Sequence, residues 1–157
     1  MSYRKDHLLS LSGVGPNQYS EAELAEMVRE HLKEGISGIC FSAYVEGQEP
    51  GDIISAEQIR ARMAILKPYI SWVRTFSCTE GNELIPGIAK EMGIKTMVGA
   101  WLSDDKELNE KEIEGLIAVA QAGQADLVAV GNEVLYRKEL TEEELLDYIY
   151  RVKKALP

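Results

Sequence analysis

The segment Asp126–Leu135 reads DLVAVGNEVL and decides how the rest of the chain is interpreted. Its first half is an apolar run typical of a buried strand, and Asn132 and Glu133 follow where that strand meets its loop. Parallel barrels carry their catalytic groups after the carboxyl ends of the strands. A carboxylic acid at this end of a barrel is surrounded by a low-dielectric interior, so it resists ionisation and can donate a proton to a leaving oxygen. The segment therefore favours Glu133 as a general acid. The alternative is a loop glutamate without a chemical role, which fits the same short motif.

Length and charge limit the class of protein. The chain has 157 residues, 45% of them apolar, which suits one hydrophobic core and a single domain spanning residues 1–157. Its 17 Lys and Arg residues against 26 Asp and Glu residues give a net charge of -9, which disfavours nucleic acid and anionic membrane as partners. The apolar runs are short, and the N-terminus lacks the apolar stretch of a signal peptide. These features predict a soluble, cytoplasmic protein.

The cysteine and histidine residues give no pattern of a metal centre. Cys40 and Cys78 lack metal-ligand spacing and have no histidine nearby, so we expect both to be buried free thiols. His7 and His31 are far from any cluster of ligand-type residues. The sequence therefore predicts neither a metal nor another cofactor.

The order of predicted elements is a helix followed by four strand–helix units. Residues 1–35 form an N-terminal extension and a helix, Glu21–Glu34, opened by a capping box of Ser20 with Glu23. Ser55 and Thr141 are the predicted caps of two later helices. The predicted strands are Ile36–Tyr44, Ser71–Phe76, Lys95–Trp101 and a fourth that ends at Glu133.

Apolar strands that alternate with helices belong in a parallel sheet covered by helices, which is an α/β fold. Two closures fit this pattern. One is a four-stranded open sheet of the flavodoxin type, and the other is part of an eight-stranded barrel, whose full form usually takes about 250 residues. Length alone favours the open sheet.

Four segments at successive predicted strand ends decide otherwise: Gly38–Gln48, Trp72–Pro86, Thr96–Leu102 and Val130–Leu135. In this order they resemble bacterial members of glycoside hydrolase family 17, the β-1,3-glucanase and glucanosyltransferase family. The resemblance implies a (β/α)8 TIM-type barrel, of which this chain would be the N-terminal half, with four βα units preceded by a helix.

The resemblance also implies roles for individual residues. Glu133 would be the general acid/base, and Asn132 would hydrogen-bond the sugar 2-hydroxyl. Aromatic rings at strand ends can stack on a pyranose, and an arginine can donate to hydroxyls or fix a carboxylate, with ordinary core packing as the alternative. Arg74 could also be a buried charge that supports Glu133. The predicted substrate-binding residues besides Asn132 are Tyr44, Arg74, Phe76, Trp101 and Tyr136.

The family's nucleophile follows the seventh barrel strand, which would fall beyond Pro157. Retaining hydrolysis needs two carboxyl groups about 5 to 5.5 Å apart. The other acidic residues near predicted strand ends do not match the family nucleophile, and we expect solvated loop carboxylates at Glu46, Glu80, Asp104 and Asp105. The chain by itself is therefore expected to be inactive.

Two functions remain open at this point. The chain could be a fragment or half-barrel of a retaining glycoside hydrolase that hydrolyses or transglycosylates β-1,3-glucans, or a stand-alone half-barrel with a structural or carbohydrate-binding role. A β-glucan oligosaccharide is the predicted ligand. Because a half-barrel leaves its outer strands unpaired and its inner face exposed, the predicted protein partner is a second copy or a complementary C-terminal half.

Overall fold

The computed structural model describes residues 18–156, in which four parallel strands alternate with helices. The strands lie in the order β1-β2-β3-β4, with Val73 opposite Thr96 and Val98 opposite Val128. A flavodoxin-type sheet would place its second strand outside its first. The unbroken sequential order is that of a barrel segment, so the predicted α/β half-barrel is confirmed. The strands are β1 (Ile36–Cys40), β2 (Ile70–Arg74), β3 (Lys95–Ala100) and β4 (Leu127–Val130).

A helix precedes the first strand, and the other described helices lie between and after the strands, as the sequence pattern predicts. A short 3-10 helix, Asn82–Leu84, precedes the helix that follows β2. The α-helices are α1 (Glu21–Glu34), α2 (Ala56–Leu66), α3 (Ile85–Glu91), α4 (Lys106–Gln121), α5 (Val134–Arg137) and α6 (Glu142–Ala155).

The described chain divides into two units between Ile36 and Ser37. In the first unit, the Ser20 side chain accepts a hydrogen bond from the Glu23 amide, and the Glu23 carboxylate accepts one from the Ser20 amide at 2.8 Å. This reciprocal pair satisfies two free amides at the start of α1 and confirms the predicted capping box. His7 and the extension up to residue 17 lie outside the described residues.

In the second unit, the two predicted helix caps, Ser55 and Thr141, agree with the structure, but the strands end earlier than predicted. Ser55 Oγ accepts from the Gln58 amide at 3.1 Å, and Thr141 forms a second capping box with Glu144. The strand ends predicted at Tyr44, Phe76 and Glu133 were wrong. After β1 the sequence stays apolar because these side chains pack into the core: Phe41 is 5% exposed and Ala43 is fully buried, although only the Phe41 amide still bonds to β2, at the Arg74 carbonyl.

Two apolar clusters form the core of the second unit. One lies around β1, β2, α2 and α3, and the other contains side chains of β3, α4 and α6. Cys78 is buried in the second cluster, where burial raises the pKa of its thiol, but Cys40 is exposed, contrary to expectation. Cys40 is exposed because β1 is the outermost strand of the sheet.

The fourth strand is the other edge of the sheet and is poorly covered. Leu127 is 49% exposed and Val128 is 37% exposed. On the sheet face that carries Trp72, Arg74 and Met97, an open groove of about 370 Å³ also reaches Leu127. No helix among residues 18–156 is long and apolar enough to cross a membrane.

Candidate functional site

A cleft of about 570 Å³ lies where the loops after β1, β2 and β3 come together at the carboxyl ends of the strands. Three predicted substrate-binding residues, Tyr44, Phe76 and Trp101, line it together. Because they follow different strands, only the parallel arrangement of the sheet brings their rings to one opening. The other lining residues are Phe41, Ser42, Pro50, Gly51, Ser77, Thr79, Glu80, Asn82, Leu108 and Glu112.

Side-chain bonds fix the loop that carries Tyr44. Gln58 of α2 donates from Nε2 to the Ala43 carbonyl at 2.8 Å and to Gln48 Oε1 at 2.6 Å. Further along, the exposed Glu80 carboxylate accepts from the Gly51 amide at 3.0 Å. Glu80 is thus a solvent-exposed loop carboxylate, as predicted, but it also joins the loops after β1 and β2.

Arg74, the last residue of β2, connects the cleft to the segment after β4. Its guanidinium lies 4.7 Å from the ring centroid of Phe76 and donates from Nη2 to Asn132 Oδ1 at 3.0 Å. Its Nε is buried and has no hydrogen-bond partner among residues 18–156. Arg74 contacts Asn132, the chain neighbour of Glu133, and its expected support of Glu133 remains a prediction.

A tight turn joins β4 to α5 and carries the candidate general acid. Gly131 has φ 78° and Glu133 has φ 54°, both in the left-handed region that side chains other than Gly rarely adopt. The turn is anchored because Gly131 donates its amide to the Ala100 carbonyl at 3.0 Å and Val134 is only 3% exposed. A non-glycine residue held in this conformation costs on the order of 1 kcal/mol or more and is common at functional sites.

Arg137 of α5 holds the same turn from the other side. It donates to the Asn132 carbonyl and, at 2.8 Å, to the Leu102 carbonyl, and its guanidinium lies 4.4 Å from the ring centroid of Trp101. Its charge is balanced by Glu139 at 2.6 Å. Arg137 therefore links the loops after β3 and β4.

Glu133 and Tyr136 are exposed and do not line the cleft. Tyr136 is 85% exposed, and the Glu133 side chain is open to solvent because β4 is an edge strand in the described residues. The low-dielectric surroundings expected for Glu133 are therefore not formed by residues 18–156. The assigned roles of both residues remain predictions.

Glu112 is the site residue that sequence reasoning missed. It is 1% exposed, belongs to α4 and reaches the cleft between the loops after β2 and β3. The available signal was its place on the buried stripe of α4, where a charged residue is unexpected unless it is fully hydrogen-bonded. The residues of that stripe are Asn109, Glu112, Ile113, Leu116 and Val119.

Comparison with known proteins identifies the kind of domain that has this arrangement. The sequence profile of the BtgE/BtgC glycoside hydrolase domain matches residues 38–157. The chain is 24% identical over 152 residues to a glucan 1,3-beta-glucosidase of Schizosaccharomyces pombe, covering 93% of this chain and 46% of that protein. It is 36% identical over 98 residues to a glucan 1,3-beta-glucosidase of Arthroderma benhamiae, covering 59% of this chain and 31% of the relative.

A solved structure has the same fold. It is an active-site mutant of the Rhizomucor miehei beta-1,3-glucanosyltransferase in complex with laminaritriose, with a TM-score of 0.64 and 24% identity, covering 78% of this chain and 46% of that one. The chain therefore spans less than half the length of each of these three proteins. Its four parallel strands and their helices correspond to part of a glycosidase barrel.

Proposed function

Because the chain belongs to the BtgE/BtgC glycoside hydrolase domain family, we propose that its cleft binds a β-1,3-glucan oligosaccharide and that Glu133 acts as general acid/base on it. The observation that carries the proposal is the grouping of Tyr44, Phe76 and Trp101 around one cleft of about 570 Å³. Aromatic faces pack against the C–H faces of pyranose rings, and a cleft of this size suits a short oligosaccharide. The names of the relatives, glucan 1,3-beta-glucosidases, favour the same ligand class.

The proposed chemistry assigns the general acid/base step to Glu133, which follows β4 beside Asn132. Glu133 donates its proton to the glycosidic oxygen as the bond from that oxygen to the anomeric carbon breaks. A second carboxylate attacks the anomeric carbon and forms a glycosyl-enzyme intermediate. Glu133, now ionised, then takes a proton from water in hydrolysis or from a sugar hydroxyl in transglycosylation, while the oxygen of that acceptor attacks the anomeric carbon and displaces the second carboxylate.

We propose that the second carboxylate comes from the complementary part of a barrel. The loop carboxylates of the described chain already have other roles or are exposed: Glu80 bonds to Gly51, and Asp105 caps α4 by accepting from the Glu107 and Leu108 amides. The buried Nε of Arg74 is a donor without a partner among the described residues, and a carboxylate or a sugar hydroxyl would satisfy it. The same complement would cover the sheet face that carries Trp72 and Met97.

The experiment that tests the general acid compares leaving groups in the completed barrel. Glu133→Gln should lower kcat/KM by about 10²–10⁴-fold for laminarioligosaccharides but spare the first step with activated aryl β-glucosides, which need little protonation. Glu142→Gln, which changes an exposed carboxylate of α6, is the matched control and should leave both substrates unaffected. If Glu133→Gln lowers kcat/KM equally for both substrates, Glu133 is not the general acid.

Carbohydrate binding without catalysis is the second candidate function. It is favoured by one observation: the cleft is built by residues 41–112, whereas Glu133 lies outside its lining. Calorimetric titration of laminaritriose into the chain distinguishes the two. The binding role would be favoured if the complementary half left the Kd for laminaritriose unchanged and the combined protein showed no turnover.

A further inference from the structure

Glu112 is the most deeply buried charged side chain near the cleft, and the proposed reaction gives it no chemical step. It accepts four hydrogen bonds. Oε1 accepts from Ser77 Oγ at 2.5 Å and from Thr79 Oγ1 at 2.8 Å. Oε2 accepts from the amide of Cys78 at 2.7 Å and from that of Trp101 at 3.1 Å. Four donors on two oxygens fully occupy a carboxylate, which offsets the large cost of burying it.

The four donors come from two different loops. Ser77, Cys78 and Thr79 follow β2 and continue directly from Phe76, whereas Trp101 follows β3. Phe76 and Trp101 are two of the three aromatic residues of the cleft. Glu112 lies on α4, a helix of 16 residues, so one residue on a rigid element fixes both loops. Charge-assisted bonds of this kind are shorter and stronger than neutral ones.

We propose that Glu112 is a positioning residue: its carboxylate holds the loops after β2 and β3 at the separation that lets Phe76 and Trp101 bind one glucan. This inference rests on the proposed ligand. The four hydrogen bonds by which Glu112 holds the two loops, called the clamp below, can be tested without a ligand. Arg137 over the Trp101 ring holds the indole from the side of the β4 loop, so Glu112 and Arg137 together fix Trp101 by its backbone and by its ring.

The donors also determine which substitutions can replace Glu112. In Glu112→Gln, the amide oxygen can accept from the Cys78 and Trp101 amides. The new NH2 group then faces Ser77 and Thr79, whose hydroxyls can turn and become acceptors. Glu112→Ala removes the acceptor of the Cys78 and Trp101 amides, so neither loop is held to α4 by this residue. Glutamine should therefore rescue the clamp, and alanine should abolish it.

Asn109 provides a matched control on the same helix. It is fully buried, accepts from the Ser103 amide at 2.8 Å and donates to the Ser103 carbonyl at 2.8 Å. It thus fixes a segment just after Trp101 but does not line the cleft. Asn109→Ala should lower the melting temperature much as Glu112→Ala does, without loosening Trp101.

The test uses two readouts on the full chain. The first is acrylamide quenching of Trp101 fluorescence in a Trp72→Phe background, which leaves one tryptophan. The second is the Kd for laminaritriose by calorimetry. We expect Glu112→Ala to increase quenching and to weaken laminaritriose binding by about tenfold, which is about 1.4 kcal/mol. Glu112→Gln should restore both values, and Asn109→Ala should change neither.

Equal quenching in Glu112→Ala and Asn109→Ala would overturn the clamp and leave Glu112 as a core residue only. Increased quenching with an unchanged Kd would overturn its role in ligand binding. If the parent chain binds no laminaritriose, the proposed ligand fails, and quenching alone decides whether Glu112 holds the loop of Trp101. If Glu112→Ala does not fold, Ser77→Ala with Thr79→Ala removes the Oε1 bonds and should increase mobility of the Phe76 loop, measured by hydrogen exchange; unchanged exchange would overturn the clamp.

Discussion

The guanidinium of Arg74 donates to Oδ1 of Asn132 at 3.0 Å, and this bond fixes which end of the amide is available to a ligand. Arginine has only donors, so the atom facing it must be the amide oxygen. Nδ2 of Asn132 is therefore the end of the amide that does not bind Arg74. It is a hydrogen-bond donor, as the predicted contact with a sugar hydroxyl requires.

Asn132→Asp should separate folding from binding at this position. The new carboxylate keeps the bond to Arg74 and adds opposite charge, so we expect no loss in the free energy of unfolding. It replaces the Nδ2 donor by an acceptor, so the Kd for laminaritriose should rise about tenfold. Chemical denaturation and calorimetry measure the two quantities. If Asn132→Asp leaves the Kd for laminaritriose unchanged, Asn132 is not a donor to the ligand. Arg74→Met, which lets the Asn132 amide turn, should raise the Kd less than Asn132→Asp does.

The sequence was sufficient for the architecture but not for the connections within the site. Helix periodicity and the caps at Ser20, Ser55 and Thr141 depend on residues three or four positions away in the sequence. All three caps were predicted correctly for this reason. The hydrogen-bond donors to Glu112 are 11 to 35 residues away along the chain, and Asn132, which accepts from the Arg74 side chain, is 58 residues away. Such pairs arise only when parallel strands bring their loops together, so local patterns cannot reveal them.

The ion pair between Glu110 of α4 and Arg151 of α6 makes stability depend on pH. Arg151 donates to both carboxylate oxygens at 2.8 and 2.6 Å, and these bonds hold the pKa of Glu110 below its ordinary value of 4.5. A lowered pKa in the folded state means that the stabilisation is complete above 4.5 and is lost as the pH falls through the lowered value. Both side chains are 46% exposed, so solvent screening limits the contribution to about 1 kcal/mol or less.

Glu110→Gln should therefore reduce the free energy of unfolding at neutral pH, and the difference from the parent chain should disappear as the pH falls well below 4.5. Urea titrations over a pH series measure it. Glu46→Gln, at an exposed loop position, is the control and should show no such trend. A difference that persists unchanged in acid would mean that the charge of Glu110 is not responsible.

The chain of 157 residues should have no measurable glucanase turnover by itself. A single carboxylate can donate a proton but cannot also form the glycosyl-enzyme intermediate, and acid catalysis alone contributes about 10²–10⁴-fold. Release of reducing sugar from laminarioligosaccharides measures turnover. Cleavage at ordinary enzyme rates that is lost in Glu133→Gln would contradict this prediction, because a second carboxylate would then have to come from this chain or a second copy of it.

Self-association through the sheet edge is the remaining prediction. The outer strands β1 and β4 have no neighbouring strand on one side in the described chain, and Leu127 and Val128 on β4 are 49% and 37% exposed. Pairing with a second copy would cover this edge and the open sheet face symmetrically, against the repulsion from a net charge of -9. We expect a dimer in light scattering at micromolar concentration and moderate salt. Val128→Lys should favour the monomer because a charge on an edge strand opposes pairing, whereas Ile53→Lys, at a loop residue that is 80% exposed, should not. A parent chain that scatters as a monomer, or a dimer equally sensitive to both substitutions, would show that the β4 edge is not the interface.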